Sequence, residues 1–374
     1  MDLRIDVNIA RLNGFLLRAA ASRPASWLLL CVFFWVVAAA SFSGFVGKWG
    51  LLDESQENKS LENNGIEAML DATAEKPYVY RQLVPMLSNF ADRVTPEKVK
   101  EYVTANIKPE ETFARTTSVT NPELRFRYLV IYYSNFFSLF LSLFVLRRIL
   151  HDFGIGSTSS IVAPTSLVLS LPYLQTVGGY FYDSVELFFA SLAFLIATRG
   201  RILLLITLAL PATLNKETFI FFLPTLYPLL RQKLSSKLAL TVTLLAILAA
   251  VFINVLLKLA FLDAQGEAAQ LHFLSNIKSY LILSTYLHLE DTYGIVGPEG
   301  AFFGTIAVIT IIVLRSWSYA PPKVRQHLLI AAVFNFPLFL IFCATGELRN
   351  LSLLFVGFVI LVALVIERGN NRGF

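Results

Sequence analysis

Long apolar runs separated by short polar segments make up most of the chain. They fall at about 26–46, 126–146, 159–179, 184–198, 237–257, 301–316, 328–345 and 351–366. Most of these approach or reach the ~17 to 25 residues that a helix needs to cross a bilayer. Runs such as "LTVTLLAILAAVFINVLLKLAF" (240–261) are continuously apolar. A membrane β-barrel, the other spanning solution, needs strict alternation of apolar and polar residues. The pattern therefore predicts an all-α, polytopic transmembrane helical bundle. The first run, "SWLLLCVFFWVVAAASFSGFV", has an apolar core longer than the roughly 7–15 residues of a signal peptide, so it reads as an uncleaved first span.

One run breaks the pattern. Asn215, Lys216 and Glu217 sit in the middle of the apolar stretch 202–230. Each flanking arm, 202–214 and 218–230, is about 13 residues, or ~20 Å of helix, short of the ~30 Å hydrocarbon core. Lys and Arg concentrate in cytoplasmic loops of membrane proteins. Here Arg147, Arg148, Arg199, Arg201, Arg231, Lys233, Arg315, Lys323, Arg325, Arg368 and Arg372 cluster between alternate runs, and Arg4, Arg11, Arg18 and Arg23 precede the first. That distribution puts both termini in the cytoplasm and both ends of 202–230 on the cytoplasmic side. The prediction is about eight full spans plus one broken, re-entrant helical hairpin whose tip carries Asn215–Glu217. A single long span with a buried Lys-Glu pair is the alternative, and it spoils the charge pattern.

This topology divides the chain into a cytoplasmic amphipathic N-terminus (1–25), a first span (26–46), an extracytoplasmic segment (47–125) and the remaining bundle (126–374). Acids slightly outnumber Lys and Arg in 47–125. "SLENNGIEAMLDATAEK" and "TPEKVKEYVTANI" read as short amphipathic helices lying on the membrane face, the second with Thr95 as N-cap and Pro96 at its first position. The segment 262–300 is similar, an interfacial stretch with Tyr280 and Tyr286 expected at headgroup depth.

Composition agrees. The 374 residues are 56% hydrophobic and 15% charged, with a mean hydropathy of +0.63. Soluble domains average roughly 45–50% apolar and about 25% charged. The net charge of +5 is the excess expected of cytoplasmic loops, not a nucleic-acid footprint. Cys31 and Cys343 both fall inside apolar runs, which argues against a disulfide framework, and no metal-ligand spacing is present.

The topology also gathers the unusual polar groups on one face. Asp53 and Glu54 follow the first span, and Tyr80 and Arg81 lie in the outer segment. Asp183 and Glu186 follow the third span, Asn215–Glu217 cap the hairpin, and Glu347 and Arg349 follow the eighth. Such a face suits an anionic, lipid-linked substrate, with Arg as a fork and Lys as a point charge on phosphate and a carboxylate as general base. No cofactor is demanded, although carboxylates also suit a divalent cation. Each group has a structural reading as well. Asp53 and Glu54 can be solvated loop charges, and Arg81 a headgroup anchor. Asp183 and Glu186 can meet a helix N-terminus. Lys216 and Glu217 can neutralise one another, as can Glu347 and Arg349.

The order of four motifs, "PYVYRQLVP" (77–85), "YDSVELFF" (182–189), "ATLNKETFIFFLP" (212–224) and "GELRN" (346–350), resembles a group of bacterial polytopic membrane proteins related to GT-C-type glycosyltransferases. The resemblance spans most of the chain. It implies an enzyme of the bacterial inner membrane that uses a polyprenyl-phosphate-linked sugar or glycolipid at the outer face, in cell-surface polysaccharide or glycolipid assembly, alongside membrane lipids and envelope-assembly proteins. It further implies Asp53 as base with Glu54 as substitute, and Arg81, Lys216 and Arg349 on the lipid phosphate. Asp183, Glu186, Glu217 and Glu347 would orient hydroxyls or cations, with Tyr80 and Asn215 beside them. A flippase for a lipid-linked or anionic substrate and a non-catalytic assembly subunit are the rival readings.

Overall fold

The computed structural model describes residues 23–48, 66–108, 122–174, 180–267 and 269–371. The expected cytoplasmic N-terminus, up to residue 22, lies outside them, and so do Asp53 and Glu54.

The described chain is a helical bundle. Five helices are long and apolar enough to cross a membrane: α1 (Arg23–Lys48), α5 (Pro122–Asp152), α10 (Ser236–Ala260), α13 (Pro322–Phe342) and α14 (Ser352–Asn371). Shorter helices complete the bundle. These are α6 (Ser157–Ser170), continued by a 3-10 turn Leu171–Leu174, α7 (Asp183–Thr198), α8 (Ile202–Asn215), α9 (Phe219–Leu230, with 3-10 geometry over Leu223–Leu226) and α12 (Phe303–Ser316). Outside the bundle lie α2 (Ile66–Leu70), α3 (Leu83–Val94), α4 (Glu97–Asn106) and α11 (Phe273–Tyr280). The core runs along the axis through Phe34, Leu143, Phe194 and Val356, all fully buried. α7 sits near its centre: it packs along α5, and most of its residues are buried on every side. A helix that is apolar all round is a buried helix.

Contacts at the two ends fix the path of the chain. At one end Arg199 bridges Asp152 at 2.8 Å, Ser159 donates to Glu367 at 2.6 Å, and Arg368 lies over the Tyr319 ring at 3.4 Å. At the other, Lys76 donates to the Leu262 carbonyl at 2.8 Å, and Tyr293 to that of Leu169 at 3.0 Å.

Residues 202–230 do not form one helix. α8 stops at Asn215, Lys216 is extended (φ −157°, ψ 125°), and α9 begins at Phe219. The two arms return to the same end. A Cβ on Gly200 would come within 2.8 Å of the Lys233 Cβ, so the turns before and after the pair touch there. Gly200 also has φ +67°, which a Cβ disfavours. Pro224 and Pro228 make the second arm irregular because each removes a helical N–H donor. The buried His327 on α13 donates from Nδ1 to the Thr225 carbonyl at 2.9 Å, satisfying backbone that the arm leaves open.

Two expectations are corrected. The fold is not purely helical: β1 (Leu289–Thr292) and β2 (Ile295–Pro298) form an antiparallel hairpin, Thr292 opposite Ile295. Its two turn residues, Tyr293 (φ 58°) and Gly294 (φ 76°), both have the positive φ of a type I′ turn. Pro96, not Thr95, is the N-cap of α4, since its ψ of 144° is still extended; Thr95 donates to Ala91 of α3 instead. α3 itself was not foreseen as a helix. The Tyr280 hydroxyl accepts from the Gly346 N–H at 3.0 Å, and its own carbonyl accepts from Tyr286.

Candidate functional site

All four motifs meet at the end of the bundle opposite the Asp152–Arg199 bridge. A 3-10 turn, Tyr78–Tyr80, delivers Arg81 and leads into α3. Asp183 and Glu186 occupy the first turn of α7, and the break between α8 and α9 supplies Asn215, Lys216 and Glu217. A 3-10 turn, Leu348–Leu351, joins α13 to α14 and carries Arg349 just after Glu347.

The charges form one connected network. Lys216 Nζ lies 2.6 Å from Glu186 Oε2 and 3.5 Å from Asp183 Oδ1. Arg349 bridges Asp183 at 2.6 Å and Glu347 at 3.2 Å. Arg81 pairs with Glu217 at 3.2 Å and donates to the Tyr182 hydroxyl. Neutral groups tie these pairs to the backbone. Asn215 donates to the Tyr182 carbonyl at 2.9 Å, Ser352 to Glu186 at 2.7 Å, and Asn350 to Glu347 at 2.9 Å, while Asp183 accepts from the Tyr180 N–H at 2.9 Å. Three cations therefore face four carboxylates, leaving one negative charge in excess if all are ionised.

Aromatic rings line the network. Tyr180 and Tyr182 stack with centroids 5.1 Å apart. Arg81 lies 4.3 Å from the Tyr182 centroid, Lys216 5.6 Å from the same ring, and Arg349 4.9 Å from that of Tyr180. A cation near a ring face gains ~0.5 to 2 kcal/mol, more where water is excluded. For Arg81, outside the long helices, burial works against the charged form, but Glu217 and Tyr182 outweigh it and hold the guanidinium above its ordinary range. Tyr80 is buried beside Arg81, and its hydroxyl is pushed up by that burial and by the Glu217 charge.

The structure brings together nine of the sequence-derived candidates: Tyr80, Arg81, Asp183, Glu186, Asn215, Lys216, Glu217, Glu347 and Arg349. It corrects one of their structural readings. Lys216 and Glu217 do not neutralise one another, because each takes a different partner. Arg81, partly buried, clamps the hairpin tip through Glu217. Glu347 and Arg349 do pair, as the alternative reading held.

Sequence reasoning gave Tyr182 and Asn350 no role although both lie in its motifs, and it missed Tyr180 and Ser352. It also missed Asn276. The Asn276 amide donates to the carbonyls of Leu340 and Cys343 and accepts from Thr345, so it closes the C-terminus of α13 and fixes the loop that carries Arg349.

A cavity lies against the network. Asp183, Glu186, Arg349 and Ser352 line it together with Leu139, Leu187 and Phe355. Arg349 Nε and Asn215 Oδ1 are buried without a hydrogen-bond partner among the described residues. Also among the described residues, no three His, Cys, Asp or Glu side chains form a group that could hold a metal ion. The chain matches no family model, no curated protein and no solved structure.

Proposed function

We propose that the protein is an integral membrane glycosyltransferase of GT-C type, taking a lipid-phosphate-linked sugar at the extracytoplasmic end of its bundle. The observation that carries this reading is the convergence of the four motifs: charged side chains up to 268 positions apart in sequence meet in a single, largely buried network beside a cavity lined by both polar and apolar side chains. A bacterial inner membrane is the proposed location, with α1, α5, α6, α7, α10, α12, α13 and α14 crossing the bilayer and α8–α9 entering and leaving on one side. In this reading a phosphate displaces a carboxylate from Arg349, whose Nε offers a further donor, and Lys216 adds its charge. Asp53 or Glu54 takes the proton of the attacking hydroxyl, that oxygen bonds to the anomeric carbon, and the anomeric C–O bond breaks with the lipid phosphate as leaving group.

A second reading has one specific observation in its favour. Every cation in the network already has a carboxylate partner, as in a scaffold that holds the hairpin closed. A non-catalytic assembly subunit would keep such a network, and so would a flippase whose hairpin moves.

The deciding experiment combines the purified protein with a polyprenyl-phosphate sugar and measures transfer to acceptor, and in liposomes measures translocation. Transfer is the expected result. Translocation without transfer selects the flippase, and neither activity selects the subunit. Sidedness is tested separately in intact cells. Cysteines replacing Glu101 and Glu267, both exposed at the network end, should react with an impermeant maleimide, whereas one replacing Gln232 should react only after permeabilisation. The reverse pattern overturns the outward placement of the site.

A further inference from the structure

The segment between α10 and α12 exposes an unusual amount of apolar surface for a stretch outside the bundle. Leu271, Leu274, Leu281, Leu283, Ile295 and Val296 are each more than 60% exposed. Soluble surfaces scatter such residues singly, and a contiguous apolar patch marks a contact surface. The opposite side of the same segment is polar in a specific way and turned inward. The His272 N–H donates to the Ile341 carbonyl at 2.7 Å, Asn276 closes the end of α13, and the Tyr280 hydroxyl accepts from Gly346. One face is thus fastened to the loop that carries Arg349, and the other is mostly apolar.

We infer that this bare face is seated on a lipid leaflet, and that the leaflet thereby braces the Arg349 loop. Two observations select lipid over a protein partner. The patch continues the apolar belt of the neighbouring helices: Leu256, Leu259 and Leu262 at the end of α10 and Phe303 at the start of α12 are exposed in the same way. Lys278, on α11 itself, has the long apolar stem and charged tip that suit a headgroup boundary. The hairpin limits the depth of insertion. Among the described residues β1 and β2 pair only with each other, so their outer edges carry backbone donors and acceptors that cannot be satisfied in hydrocarbon. The segment therefore rests at the boundary, with its side chains ~5 to 10 Å into the headgroup and acyl region, as amphipathic interfacial segments do. This inference needs only a membrane around the bundle and stands whichever activity the network has.

The test uses the full-length protein in lipid nanodiscs with an environment-sensitive fluorophore on a single introduced cysteine, Cys31 and Cys343 having been replaced. At Leu274→Cys, Leu281→Cys and Val296→Cys the emission should shift to the blue relative to Glu267→Cys, which is exposed on the connecting loop. Lipids brominated near the top of the acyl chain should quench the three probes, and lipids brominated at the chain end should not. Water-like emission at Leu274→Cys and Leu281→Cys overturns the inference. A shift that appears only as protein concentration rises also overturns it, because a second copy then covers the face. A charge placed there gives an independent readout. Leu281→Asp combined with Leu283→Asp should expose the loop and allow trypsin to cleave after Arg349, which is buried in the parent. Unchanged protection of Arg349 in a correctly inserted double variant removes the link between leaflet and loop.

Discussion

Lys216→Ala is expected to lower stability by ~3 to 5 kcal/mol, the usual cost of removing one partner from a buried ion pair. The Lys216 side chain is 6% exposed and that of Glu186 7%, so the stranded carboxylate cannot recruit bulk water. Ser352 at 2.7 Å and Thr218 at 3.5 Å would remain as its donors, and neutral hydroxyls do not replace an ammonium. Asp183 suffers less, because Arg349 still holds it. The informative comparison is therefore with the pair, Lys216→Met and Glu186→Gln together, and thermal melting in detergent is the measurement. The double variant should recover most of the lost stability, since replacing both ions by neutral groups of similar size is often nearly neutral. What it does for function separates the readings. A stable double variant without sugar transfer or complementation assigns the pair to the site. A stable double variant with near-normal activity makes the pair scaffold. A double variant no more stable than Lys216→Ala overturns the pairing with Glu186 itself.

The choice of partner was the part of this site that the sequence concealed. Lys216 and Glu217 are adjacent, and in an apolar run adjacency suggests mutual neutralisation. Consecutive side chains on extended backbone point in opposite directions, however. With Lys216 extended at the end of α8, its ammonium turns to α7 and Glu217 turns to Arg81. The positions of the charges were legible, because a charge in an apolar run is costly and stands out. Their partners were not, because those lie 30 and 136 residues away and depend on how α7 and the outer segment pack. The same limit hid the tyrosine stack, whose members are indistinguishable from ordinary core residues until Arg81 and Arg349 are placed beside them. The elements divide similarly. Hydropathy located α1, α7, α10 and α12 to within about three residues and the ends of α5, α6, α13 and α14 more loosely, and the break at 215–218 followed from its charges. The β-hairpin escaped because Tyr293, an aromatic residue, occupies a positive-φ position that Asn, Asp or Gly would have announced.

Arg349 offers the second large effect and a ranking that depends on geometry. Arg349→Ala should match or exceed Lys216→Ala, because it removes the guanidinium partner of two carboxylates at once and empties space beside the Tyr180 ring. Arg349→Lys should recover little: one ammonium cannot reproduce a planar fork that holds Asp183 at 2.6 Å and Glu347 at 3.2 Å. Neutralising the two acids should then cost unequal amounts. Asp183 touches Arg349, Lys216 and the Tyr180 N–H, so Asp183→Asn disturbs both cations and the start of α7. Glu347 meets Arg349 and Asn350, and Arg349 keeps Asp183 when Glu347 loses its charge. The network also carries one more carboxylate than cations, so Glu347→Gln removes the excess instead of creating one. The expected order of destabilisation is Arg349→Ala, then Asp183→Asn, then Glu347→Gln, with the last within ~1 kcal/mol of the parent, the scale of one modest hydrogen bond. Thermal melting of the three variants in one detergent decides it, and Glu347→Gln melting at or below Asp183→Asn overturns the assignment of Asp183 as the hub. Because Glu347→Gln should fold normally, its activity can be read without a stability correction. Loss of sugar transfer in that variant would make Glu347 a group of the reaction site rather than a brace for Arg349.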